Sequence, residues 1–110
     1  MSFEVVTSPH FDREFKKLAK KHLSIKTDLA ALVKSLKANP FQGDGLGKDC
    51  YKVRMKISSK GKGKSGGSRV ITYVKIVANQ VSLLSIYDKS EQDDISDSRL
   101  LQILKENGLI

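Results

Sequence analysis

The chain has one cysteine, two histidines, two prolines and no tryptophan among 110 residues. A lone cysteine, Cys50, forms no internal disulfide, which suits a reducing cytoplasm, the expected location. Cys50 opens a β-prone stretch and reads as a small buried thiol rather than a nucleophile. Cys50, His10 and His22 stand at no familiar metal-ligand spacing, so no metal site is expected. No apolar run is long enough to cross a bilayer. The start, Met1 to Val6, lacks the basic residues and apolar block of a signal peptide, so no membrane or export role is expected. Apolar residues make up 39% of the chain, below the average yet enough for a modest core. The length suits one domain, residues 1–110.

What the chain does have is positive charge in one place. It carries 20 basic and 12 acidic residues, a formal net charge of +8. Between Lys48 and Lys75 lie nine basic residues and a single acid, Asp49, so this stretch alone carries the whole net charge. Its first part, Cys50 to Ser58, alternates in the manner of a strand: Tyr51, Val53, Met55 and Ile57 on one face, Lys52, Arg54, Lys56 and Ser58 on the other. A glycine-lysine loop follows, with Lys60, Lys62 and Lys64. A solvated lysine-rich surface needs no such concentration, whereas a protein that meets a polyanion does.

The remaining elements follow from local signals. Phe3 to Val6 reads as a short strand. Ser8 and Pro9 mark a helix start, and Phe11, Phe15 and Leu18 recur at helical spacing. Ser24 is placed at the cap of a second helix with the stripe Ile25, Leu29, Leu32, Val33 and Leu36, stopped by Asn39 and Pro40. The two helices form a short-linked antiparallel hairpin. Phe41 to Gly47 reads as a turn-rich loop. Two more strands run from Ser68 to Val77 and from Val81 to Lys89, paired as a hairpin. Ser96 or Asp97 opens a short last helix with Leu100, Leu101 and Leu104, closed by Asn107 and Gly108. The order is β-α-α-β-β-β-α, an α+β fold with an antiparallel-rich sheet and the helices against one sheet face.

Gly63, Lys64 and Ser65 imitate the end of a phosphate-binding P-loop. That motif needs a glycine where Ser58 stands and a helix where a strand follows, so nucleotide hydrolysis is excluded. The loop reads instead as a cationic arm whose glycines let the backbone approach a phosphodiester. Arg54, Arg69 and Lys89, from three neighbouring strands, are expected to converge on one open, water-facing side. Guanidinium groups grip phosphate with paired hydrogen bonds and stabilise the charge of a phosphoryl-transfer transition state. The competing reading pairs each of them with an acid from Asp88 to Asp94. Tyr73 and Tyr87 are candidates to stack on a base.

Three blocks together, Tyr51 to Met55, Lys60 to Ile71 and Leu83 to Glu91, resemble the RelE/ParE toxin superfamily, closest to its HigB-like branch. The resemblance implies the toxin of a type II toxin–antitoxin pair, a ribosome-dependent mRNA endoribonuclease. Such enzymes act in the ribosomal A site without metal or other cofactor: the ribose 2′-hydroxyl attacks the neighbouring phosphate, leaving a 2′,3′-cyclic phosphate and a 5′-hydroxyl. It implies catalytic roles for Arg54, Arg69 and Lys89. It also implies that Lys60, Lys62 and Lys64 grip mRNA and ribosomal RNA, contacts that the strand cations Lys52 and Lys56 and the Tyr73 ring would extend, and neutralisation by a cognate antitoxin. The chain departs from the best-studied members in two places. Ser90 stands where they carry an arginine, and residues 94–97 lack their proton-transferring tyrosine, so Tyr87 or a loop lysine takes that role. Two alternatives are a ParE-like poison of DNA gyrase and a non-catalytic RNA-binding module.

Overall fold

The computed structural model describes residues 2–60 and 66–110. The elements are β1 (Glu4–Thr7), α1 (Pro9–Lys21), α2 (Ile25–Ala38), β2 (Asp44–Gly47), β3 (Cys50–Met55), β4 (Ser68–Lys75), β5 (Gln80–Asp88) and α3 (Asp97–Glu106), with short 3-10 turns at Ser58–Lys60 and Ile76–Ala78. The sheet order is β1-β5-β4-β3-β2. β1 runs parallel to β5 and the other pairs are antiparallel. The α+β class holds, with one strand more than expected. β2 falls in the stretch read as a loop: Asp44 faces Lys52 and Gly45 faces Tyr51, and the register then shifts at Gly47.

Local chemistry sets the helix ends. The Ser8 hydroxyl accepts the Phe11 N–H at 3.0 Å and donates to the Leu84 carbonyl at 3.2 Å, so one side chain caps α1 and ties it to β5. Ser96 caps α3 by accepting from the Arg99 N–H. Ser24 precedes α2 but makes no cap bond. Its hydroxyl donates instead to Asp28 Oδ2 at 2.7 Å. Asp28, itself buried, also accepts from the Ser58 N–H and hydroxyl, which anchors the turn after β3 to α2. Those Ser58 and Ser24 hydrogen bonds outweigh the desolvation that alone would raise the Asp28 carboxyl, and hold it below its ordinary range.

Two cores lie on opposite sheet faces. On one, Phe11 and Leu18 of α1 and Ile25, Leu32 and Leu36 of α2 meet Val53, Met55, Val70, Val74, Val81, Leu83 and Ile86. On the other, Leu100, Ile103 and Leu104 of α3 meet Cys50, Ile71, Leu84 and Tyr87. The expectation that all helices lie against one face is thereby corrected. β4, apolar on both sides, needs a cover on each. β4 also stops at Lys75, before Ile76 and Val77, which are 61% and 91% exposed rather than inside a strand.

β5 contains an irregularity that matters for the site. Ile71 faces Ser85 while Thr72 faces Leu83, so Leu84 is an extra residue on β5. Strict alternation would put Val81, Leu83, Ser85 and Tyr87 on one face. The bulge breaks that sequence. Val81, Leu83 and Ile86 enter the α1/α2 core, while Leu84 and Tyr87 turn to the α3 side.

Candidate nucleic-acid interface

Three side chains singled out by the sequence stand in one row across the sheet. Arg54 on β3 lies directly opposite Arg69 on β4, and Arg69 directly opposite Tyr87 on β5. Directly opposed residues share a face, and like charges so placed are locally unfavourable. A sheet that sets two arginines against each other breaks a rule of its own stability, as functional sites do. Lys52 follows on the same face, opposite Ile71. It borders a groove of about 290 Å³ that is also lined by Arg54, Gln42, Gly43 and Asp44.

The environment changes along the row. Arg54 is exposed and forms no ion pair among the described residues. Arg69 is only 5% exposed and donates to its neighbour's carbonyl, that of Ser68, at 3.1 Å. The expected convergence on an open, water-facing side therefore describes Arg54 but not Arg69. Tyr87 is 4% exposed. Its hydroxyl donates to Asp94 Oδ1 at 3.5 Å. Burial first, then the neighbouring Asp94 charge, push the phenol up to about 12, against the opposing pull of Arg69. At neutral pH this group is a proton donor.

The acidic segment after β5 closes on the same face. Lys52 Nζ pairs with Asp94 Oδ1 at 3.1 Å. Lys89 Nζ pairs with Asp93 Oδ1 at 2.9 Å and donates to the Asp93 carbonyl at 3.1 Å. The Ile95 N–H, then Lys52, hold the Asp94 carboxyl below its usual range. The alternative of acid-paired cations thus describes Lys89 and leaves Arg54 out, while Lys52, outside that alternative, is paired as well.

Other expected contacts lie elsewhere. Lys60 does not join the row: its ammonium reaches both oxygens of Asp88, at 3.0 and 3.1 Å, and the Ser90 hydroxyl at 3.3 Å. Tyr73 shares the face of Arg69 but sits four residues along β4, roughly 13 Å away at strand rise, and packs against the α3 core. Lys56 is exposed beyond the end of β3. Lys62 and Lys64 lie outside the described residues.

Two carboxylates escaped assignment from sequence. Asp88, 3% exposed, accepts from the Ser90 N–H and hydroxyl, from Lys60 and, at 3.2 Å, faces His22 Nε2 at the end of α1. Burial would raise its carboxyl; the Ser90 and Lys60 bonds win and lower it to about 2. Asp94 is the other. Their only sequence signal is the acidic stretch that follows the last strand.

Residues 10–108 match the family described as the RelE toxin of the RelE / RelB toxin-antitoxin system. The chain belongs to the RelE toxin family. Two solved structures of E. coli RelE share its fold. One, a double mutant of the toxin in the free state, is 16% identical, with a TM-score of 0.63 over 96% of this chain and 98% of that one. The other, the isolated toxin, is 18% identical, with a TM-score of 0.51 over 96% and 99%. As a RelE toxin of a type II toxin–antitoxin system, the chain implies a cognate antitoxin. Among the described residues no helix is long and apolar enough to cross a membrane.

Proposed function

We propose that this RelE-family chain is a ribosome-dependent endoribonuclease that cuts mRNA in the A site. The observation that carries the reading is the cross-strand row of Arg54, Arg69 and Tyr87, with Lys52 beside it on the same face. In the reaction the 2′-hydroxyl attacks the adjacent phosphorus and its proton leaves to solvent. The bond from phosphorus to the 5′-oxygen breaks, giving a 2′,3′-cyclic phosphate and a 5′-hydroxyl. Arg54, exposed and unpaired among the described residues, grips a phosphate oxygen. Arg69, largely desolvated, acts where charge is worth most on the transition state. Tyr87, a phenol at about 12, remains more acidic than the 5′-alcohol formed by the departing alkoxide, and donates its proton to the 5′-oxygen. Lys89, next to the acidic turn, assists once phosphate competes for it. Lys52, Lys56, Lys62 and Lys64 supply the wider attraction to RNA, and the work takes place in the cytoplasm.

Mapping of 5′ ends on programmed ribosomes tests this. The wild type should cut within the A-site codon and leave 5′-hydroxyl ends. Arg69→Ala should lose about 10² to 10³ in cleavage rate, the cost typical of one charge-stabilising group. Intact message together with trapped gyrase–DNA complexes would refute the reading in favour of a gyrase poison. Intact message with RNA still bound would leave a binding module.

A further inference from the structure

We propose that Asp94 is the positioning residue of this face: one carboxylate oxygen holds both the Lys52 ammonium and the Tyr87 hydroxyl, and so sets where cation and phenol stand relative to Arg69. The proposal rests on reading the face as an RNA-cleaving one. Oδ1 of Asp94 gathers three donors, the Ile95 N–H at 2.8 Å, Lys52 Nζ at 3.1 Å and the Tyr87 hydroxyl at 3.5 Å. They come from three places in the fold: the segment before α3, β3 and β5. Through it, side chains link β3 to β5 on this face.

Asp94 is seated firmly enough for the task although its side chain is 59% exposed. Its own next amide fixes the carboxylate, and its carbonyl accepts from Gln92 Nε2 at 3.0 Å. Ile95 packs into the α3 core, and α3 begins two residues later under the Ser96 cap. The two groups it holds need holding to different degrees. The Tyr87 ring is fixed by burial and only its hydroxyl is free to turn. Lys52 has a four-carbon stem, and Asp94 is the ion-pair partner that orders its head group.

A carboxylate on a face that meets a polyanion opposes binding. Its benefit must therefore appear in the cleavage step, and the two effects have opposite signs. A residue that merely props up the fold would lower both together. This difference makes the inference testable apart from stability.

The test uses the full chain with Asp94→Ala and Asp94→Asn, on programmed ribosomes carrying either a cleavable message or one with a 2′-O-methyl group at the cut site. Asp94→Ala should bind the blocked message as tightly as wild type or more so. Its single-turnover cleavage at saturation should fall by about tenfold or more, the effect expected of misplaced groups. Asp94→Asn keeps an acceptor oxygen and should recover part of the rate. Alkaline titration of tyrosinate absorbance, with Tyr87→Phe to identify the signal, should show Tyr87 ionising earlier in Asp94→Ala than in wild type. Unchanged cleavage in Asp94→Ala overturns the inference. So do binding and cleavage that fall together with the melting temperature in both variants. A wild type that cuts nothing removes the nuclease reading and this one with it, whereas a wild type that cuts beside an unaffected Asp94→Ala removes only this one.

Discussion

Replacing Asp88 by asparagine should destabilise the protein, and the loss should fade in acid. Asp88 sits where four parts of the chain meet: β5, the turn at Ser90, Lys60 after β3 and His22 at the end of α1. Its carboxyl lies at about 2 against an ordinary 3.8. A folded-state value depressed by that much corresponds to about 2 to 2.5 kcal/mol, fully present above about pH 5, where both states are ionised. As pH falls from about 5 toward 2 the unfolded chain takes up the proton first, and by pH 2.5 about two thirds of the contribution is gone. Asp88→Asn keeps an acceptor for Ser90 but leaves the Lys60 ammonium, 18% exposed, without its counter-charge. The expected loss at pH 7 is therefore about 2 to 3 kcal/mol, or roughly 8 to 12 °C in melting temperature for a chain of this size. The assay is denaturant unfolding of both proteins from pH 7 to pH 2.5, taking the difference at each pH, so that Asp28 and Asp94, also depressed, cancel. A difference that stays constant to within about 0.5 kcal/mol over that range would refute the argument, since it would mean that the carboxylate's charge contributes nothing.

Gly43→Ala should cost roughly 2 to 4 kcal/mol, because Gly43 has φ of +92° and a Cβ there would run into the Lys52 carbonyl; thermal unfolding of the variant reads it, and an unshifted midpoint refutes it. The Cys50 thiol is 1% exposed, and burial first, then Asp49, push it up to about 11. It should resist a thiol reagent at mildly alkaline pH in the native protein and react promptly after unfolding, so rapid native labelling would contradict the placement. Arg54→Ala should lower the slope of log affinity for single-stranded RNA against log salt by about 0.7, whereas Lys60→Ala should leave that slope alone and lower the melting temperature instead. Equal slope changes for the two would return Lys60 to the RNA.

Much of this fold was legible because local rules and tertiary needs agreed. Ser8 and Pro9 start α1 as capping chemistry requires, and the stripe from Ile25 to Leu36 faces the sheet. Alternation in β3 put Arg54 and Lys52 on the face opposite Val53 and Met55, and the register then set Arg54 against Arg69. β2 was hidden because Asp44, Gly45, Leu46 and Gly47 carry no strand propensity and are held only by the neighbouring Tyr51 and Lys52. The second core was hidden because no pattern within α3 says which sheet face it covers. The site was legible as a charge pattern and illegible as a set of pairs. That Lys60 serves Asp88, and that Asp94 reaches Lys52 across 42 positions, depend on contacts between segments far apart in sequence.

The extra residue in β5 acts as a phase slip. Up to Leu83 the strand keeps time with β1; after Leu84 it keeps the opposite time. The same residues paired in strict alternation, without the slip, would present Asp88 to the arginine face and turn the Tyr87 ring toward α1, exchanging a proton donor for a fixed negative charge. The chemistry at one end of the sheet is thus decoupled from the pairing at the other, and either can vary in sequence without re-aiming its neighbour.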